Sequence, residues 1–278
     1  MTSEVRSAAV IGLGLIGGSL ARDLAARGVE VCGYDRNPDD LRAAVDAGIV
    51  SQPLDPTFSG IGDVDVVVLA VPVDGAPDLL ARVGAATSDA TLITDVGSTK
   101  GRIVAQATAL GLGERFVGAH PLAGDHRSGW GASRCGLFTD ARVYLCPTDA
   151  TRADLVRFAD RFWQGVGGRP CVLRAEDHDR KLAWTSHLPH VVAATLAAAL
   201  AGAGVSREEL GPGGRDMTRL AGSSPEMWTA IAQDNAVAID AALAAAEGEL
   251  SRFRAALAAD DRNALSARFA TARTWFDR

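Results

Sequence analysis

The segment Val10–Gly28, VIGLGLIGGSLARDLAARG, constrains the fold more than any other, because Gly12, Gly14 and Gly17 stand between an apolar run and a helix-like pattern. Ser7–Leu13 reads as a buried strand, and Leu20, Leu24 and Ala25 recur at helical spacing, so the glycines occupy a strand-to-helix turn. Gly12 permits the tight turn, Gly14 lets backbone N–H groups approach a pyrophosphate, and Gly17 allows the helix to pack closely on the strand. Leu15 and Ile16 open the helix whose positive end faces the phosphates. A second strand, Glu30–Tyr34, ends in Asp35, 18 residues beyond Gly17, where a carboxylate accepts hydrogen bonds from an adenosine ribose. Asp35 points to NAD, while the adjacent Arg36 is of the kind that accommodates the 2′-phosphate of NADP. The expectation is a Rossmann dinucleotide site; the competing reading is a glycine-rich structural turn.

The rest of the first half repeats the alternation, with helices expected at Pro38–Ala47, 75–85 and Lys100–Leu110 and strands at Val64–Val71, Thr91–Val96 and Arg115–Ala119. Short apolar strands between helices predict a mostly parallel sheet covered on both faces, with ligands at the carboxyl ends of its strands. Val71, closing one of these strands, is expected beside the cofactor. Beyond Pro147 the pattern turns helical, at 152–164, 177–201, 225–259 and 260–277, with a brief strand near 170–173. The expected plan is an α/β Rossmann domain over 1–150 and an all-α domain over 151–278 that carries substrate contacts and dimerisation. The alanine-rich stretches 193–203 and 236–246 hold little side chain with which to build a core alone, so burial against a second subunit is expected, with a monomeric bundle as the alternative.

Composition excludes several classes. A net charge of −6 gives no general attraction to nucleic acid or anionic lipid, so an anionic substrate must be held by specific residues. Cys32, Cys135, Cys146 and Cys171 form no CxxC pair, and the histidines complete no zinc-type spacing with them, so no metal is expected. The first strand begins almost at once and no uncharged apolar run reaches the roughly 18–20 residues of a membrane span, which fits a cytoplasmic protein.

Chemistry is sought at the strand ends. His120 closes an apolar strand and precedes Pro121, which favours an extended backbone at the mouth of the sheet, and an imidazole suits a base near neutral pH. Ser98 follows another strand end, where its hydroxyl either bridges nicotinamide, substrate and His120 or caps the next helix; Lys100 faces substrate or serves only the fold. In the helical half, Pro189 restarts the helix of TSHLPHVV, leaving His190 for substrate hydrogen bonding and His187 for packing. Arg219 suits a carboxylate, with Asp216 three residues before it to orient the guanidinium or to form an internal ion pair.

The blocks GLGLIGG, DVGSTK, GAHPLAGDHRSG, SHLPH and GGRDMTRLAGSSPEMW, in this order, resemble the prephenate and arogenate dehydrogenase family over most of the chain. The resemblance implies a Rossmann domain joined to a helical dimerisation domain, and NAD-dependent oxidative decarboxylation of a cyclohexadienyl carboxylate in tyrosine biosynthesis. It assigns His120 to the ring hydroxyl, Ser98 to orienting that group, and His190 and Arg219 to substrate contact. Asp125, His126 and Arg127 stand where some members have a small polar residue and then a glutamate, which changes the charge beside the substrate side chain and leaves prephenate, arogenate and 4-amino-4-deoxyprephenate as alternatives. A β-hydroxyacid dehydrogenase of similar plan is the other reading, weakened because Lys181, the sole lysine of the helical half, lacks glycine-rich surroundings.

Overall fold

The computed structural model describes residues 5–125 and 127–278. An eight-stranded sheet runs in the order β3-β2-β1-β4-β5-β6-β7-β8. Its strands are β1 (Ser7–Ile11), β2 (Glu30–Tyr34), β3 (Gln52–Pro53), β4 (Val66–Leu69), β5 (Leu92–Asp95), β6 (Phe116–Pro121), β7 (Arg142–Pro147) and β8 (Arg169–Val172). Neighbours are parallel except β6 and β7. Alternate side chains serve opposite faces. Ala8, Val10, Val66 and Val68 join one core with Leu20, Leu24 and Trp163, whereas Ala9, Ile11, Val67 and Leu69 join a second with Phe58, Leu80 and Ile103. This is why the strands read as unbroken apolar runs.

Four helices of the first half, α1 (Leu15–Ala25), α2 (Pro38–Asp46), α3 (Ala76–Ala86) and α4 (Gly101–Ala109), lie close to their expected bounds. The sheet, however, continues beyond residue 150. β7 was not anticipated, and β8 pairs with it in parallel. A parallel pair requires a crossover, and α5 (Ala153–Gly165) supplies one, burying Leu155, Phe158, Phe162 and Trp163 in the first core. A division at 150 therefore cuts through a single β-α-β unit, and the sheet layer ends at Val172.

The remaining chain is helical: α6 (Ala175–Leu182), a wide π turn (Ala183–His187), α7 (Leu188–Gly202), α8 (Pro212–Thr218), a 3-10 turn (Arg219–Gly222), α9 (Pro225–Asp234), α10 (Ala236–Ala258) and α11 (Arg262–Phe276). The helical segment expected over 177–201 passes through the π turn and restarts at α7, where Pro189 in the first turn lacks an N–H for a continuous ladder. The helix expected over 225–259 is likewise interrupted, at Asn235. The 23 residues of α10 bury only Ile239, Ala242 and Ala256, and α11 buries none. Val237, Leu250, Leu257, Phe269, Trp275 and Phe276 are all exposed. No helix among the described residues is long and apolar enough to cross a membrane.

Candidate active site

The glycine turn has the geometry its spacing requires. Gly12 adopts φ +98°, and a Cβ there would lie 2.2 Å from the Ala70 carbonyl oxygen; one at Gly17 would lie 1.9 Å from the carbonyl oxygen of Gly12. A Cβ at Gly12 would also meet Val71 Cγ1 at 3.1 Å, so Val71 borders the turn. Gly14 caps α1 without a side-chain bond, leaving the positive helix end to Leu15 and Ile16, and a Cβ at Gly14 would meet nothing closer than the Gly129 nitrogen at 4.0 Å. Backbone N–H groups can thus approach a pyrophosphate without obstruction. Asp35 accepts the Leu13 N–H at 2.6 Å and the Asn37 N–H at 2.8 Å. These bonds hold its carboxylate at the end of β2 while each oxygen keeps a lone pair for a ribose hydroxyl. Arg36 is exposed. The arrangement fits a dinucleotide. Gly17→Ala forces the Gly12 carbonyl aside, so dinucleotide affinity is expected to fall at least about tenfold, the equivalent of 1.4 kcal/mol and of ordinary overpacking strain. Calorimetric titration of NAD into the folded variant checks it, and an unchanged Kd refutes it.

Deeper in the crevice, Asp95 ends β5 and ties it to its neighbours. Its carboxylate accepts the Gly97 N–H at 2.8 Å and the Ala119 N–H at 3.2 Å, and it ion-pairs with Lys100, which is fully buried. Lys100 therefore neutralises a buried carboxylate at the root of the site. The partly buried Ser98 does not cap α4. That position is taken from the helical half by Asp179, whose two oxygens accept the N–H groups of Lys100 at 2.8 Å and Gly101 at 2.7 Å.

His120 lies one residue beyond the Asp95–Ala119 bond and is buried. Its Nδ1 is 2.9 Å from Nε2 of His178, and Nδ1 of His178 is 2.8 Å from Asp179 Oδ1. Burial first, then the neighbouring His178, Lys100 and His187, hold the proton affinity of His120 well below that of an ordinary histidine, so the ring is neutral near pH 7. Neither His178 nor Asp179 was singled out from the sequence. The signal was present in AEDHDRKL, where Ala175, His178, Asp179 and Leu182 form one buried helical stripe with two ionisable residues inside it.

His190 stacks on Trp228 with ring centroids 3.7 Å apart, and burial followed by the nearby Arg219 charge lowers its pKa. His187 is packed as expected, its Nδ1 3.1 Å from Asn235 Nδ2, and burial lowers its pKa to about 4. Trp228 Nε1 and His187 Nε2 are buried without a hydrogen-bond partner among the described residues. Arg219 and Asp216 are both exposed and form no ion pair with each other among the described residues, so the orienting contact expected from their spacing is absent. Near the cofactor turn, Asp125 bonds Arg127 at 2.7 Å and Arg134 at 3.0 Å. His126 lies outside the described residues.

Residues 20–172 match the family model described as the prephenate dehydrogenase nucleotide-binding domain, and 174–271 match the prephenate dehydrogenase dimerization domain. The chain belongs to the prephenate dehydrogenase family. It is 33% identical over 261 residues to a cyclohexadienyl dehydrogenase of Zymomonas mobilis, covering 91% of this chain and 89% of that one. Against the prephenate dehydrogenase of Bacillus subtilis the identity is 34% over 236 residues, covering 81% of this chain and 62% of the longer relative. The crystal structure of prephenate dehydrogenase from A. aeolicus, in complex with hydroxyphenyl propionate and NAD+, has a TM-score of 0.91 and 30% identity, covering 99% of this chain and 98% of that one. As a member of the prephenate dehydrogenase family the protein is an oxidoreductase, and the change of family model between residues 172 and 174 coincides with the last strand of the sheet.

Proposed function

We propose that this protein oxidatively decarboxylates a cyclohexadienyl carboxylate, prephenate or arogenate, with NAD as hydride acceptor. The observation that carries the reading is His120: a buried, neutral imidazole at the carboxyl end of β6, on the crevice that begins at the dinucleotide turn. NAD, when bound, accepts the hydride from ring C4. His120 takes the proton of the ring hydroxyl, Ser98 orients that hydroxyl, and the electrons released by loss of the ring carboxylate as CO2 complete the aromatic ring. Aromatisation drives the reaction, so the residues need only orient substrate and hold a proton. Arg219 holds a substrate carboxylate, while His190, fixed by Trp228, bonds the side chain with the unpaired polar atoms of Trp228 and His187 nearby. His126 and Asp216 contribute to charge around the substrate.

The unpartnered apolar faces of α10 and α11 support a homodimer, the helical domain beginning near residue 173, and a cytoplasmic location completes the proposal. The test is NADH formation with prephenate, arogenate and 4-amino-4-deoxyprephenate, each with NAD and NADP. Turnover of prephenate or arogenate is expected; turnover of none, or of the amino analogue alone, overturns the assignment. Asp35 repels a 2′-phosphate, so kcat/KM is expected to favour NAD at least about tenfold, about 1.4 kcal/mol. A higher value with NADP means that Arg36 governs the pocket.

A further inference from the structure

We infer that His178 and Asp179 form a proton-ordering relay that fixes His120 in the one neutral tautomer able to act as a base. The inference rests on the reading of His120 as the base and adds two positioning residues from the helical half to a strand-end histidine. The hydrogen bonds leave a single consistent assignment. Asp179 accepts two backbone N–H groups from the first turn of α4, which hold it as a carboxylate. A carboxylate only accepts, so His178 presents Nδ1–H to it across 2.8 Å. His178 is fully buried and burial lowers its pKa, so it carries no second proton and its Nε2 is an acceptor. His120 therefore donates Nδ1–H to that acceptor across 2.9 Å, and the lone pair is left on its Nε2.

The second tautomer of His120 would set two lone pairs against each other at that distance in a buried site, which is strongly disfavoured. When His120 takes a proton on Nε2, its Nδ1–H still points at an acceptor, so the relay also stabilises the imidazolium. Asp179 serves at the same time as the cap that joins α6 to α4, so docking of the helical half onto the sheet and correct protonation of the base depend on one side chain. Other charged or titratable groups packed around His120 and His178 include Lys100, paired with Asp95, His187 and, from β7, Tyr144.

The direct readout is a long-range nitrogen–proton correlation spectrum of the histidine-labelled full-length protein, with the His120 signals identified by their loss in His120→Asn. Nδ1–H is expected for both His120 and His178 near pH 7; Nε2–H on His120 overturns the relay. In His178→Phe, the acceptor is removed while ring size and burial are kept. The kcat is expected to fall about 100-fold, part of the wrong-tautomer loss known for triad histidines, with KM for NAD unchanged. The acidic limb of kcat moves to lower pH, because the protonated ring has lost its acceptor. His178→Gln, whose amide oxygen accepts from His120 while its NH2 donates to Asp179, should recover the rate to within about tenfold. Equal activity and equal acidic limbs in the Phe and Gln variants refute the relay, as does loss of activity in both with intact melting curves. A His120→Asn protein that turns over normally sinks the base assignment itself, a distinct outcome.

Discussion

His120→Asn is expected to lower kcat by about 10²–10⁴, the usual contribution of a positioned general base, while leaving the affinity for NAD nearly unchanged. Asparagine keeps approximate size and a hydrogen-bonding group at the end of β6, so the packing around Lys100 and His178 survives, but it has no lone pair basic enough to accept the hydroxyl proton. The wild-type pH profile carries the same argument. A base must be deprotonated to act, and burial holds His120 well below the ordinary histidine range. Activity should consequently persist as pH falls through 6.5 and decline only in more acid solution. Steady-state kinetics with matched thermal melts check both statements. A near-normal kcat in a folded His120→Asn protein, or a wild-type acidic limb centred near 6.5, contradicts them.

Arg219→Ala is expected to raise the KM for the cyclohexadienyl substrate by roughly 10- to 150-fold with little change for NAD, because a hydrogen bond to a charged group contributes about 1.5–3 kcal/mol. The structure sharpens this expectation. Arg219 has no ion pair with Asp216 among the described residues, so an Asp216→Asn variant should leave most of the affinity in place, although the pair stands at helical spacing. Arg219 also borders a cavity of about 380 Å³ lined by Leu200, Val205 and Leu210, which makes a purely structural role testable. If the melting temperature or the sizing-column profile changes while substrate affinity does not, the residue serves packing or assembly. Arg219→Ala also removes the positive charge next to His190, so the His190 pKa should rise towards its ordinary value.

The dinucleotide turn was legible because its chemistry is local. Gly12 and Gly17 are required by contacts within one β-α unit and the strand beside it, and Gly14 leaves the helix end open to a ligand, so the spacing prescribes which backbone atoms approach. His120 was legible for a similar reason, since an apolar run ending in His-Pro places an imidazole at a strand mouth whichever sheet the strand joins. The helical half was read less well. Pro189 announced the restart of α7, but nothing adjacent announced the break at Asn235, where an amide side chain bonds both His187 and the Asp179 carbonyl oxygen, residues about fifty positions away. Helical periodicity cannot show that α5 is the crossover between two parallel strands, which only the pairing of β7 with β8 reveals.

By itself the sequence determined the alternating strands and helices, the glycine turn, the acidic end of β2 and the place of His120 at a strand end, all set by periodicity or by neighbours along the chain. Only the tertiary structure decided that Lys100 neutralises Asp95, that Asp179 rather than Ser98 caps α4, that His178 stands behind His120, and that Asp216 and Arg219 form no ion pair among the described residues. The difference is one of range. Backbone conformation and amphipathic pattern are written in residues a few positions apart, whereas the partner of a buried charge is whichever group the packing of distant elements brings within about 3 Å, since an unpaired charge there is too costly to bury.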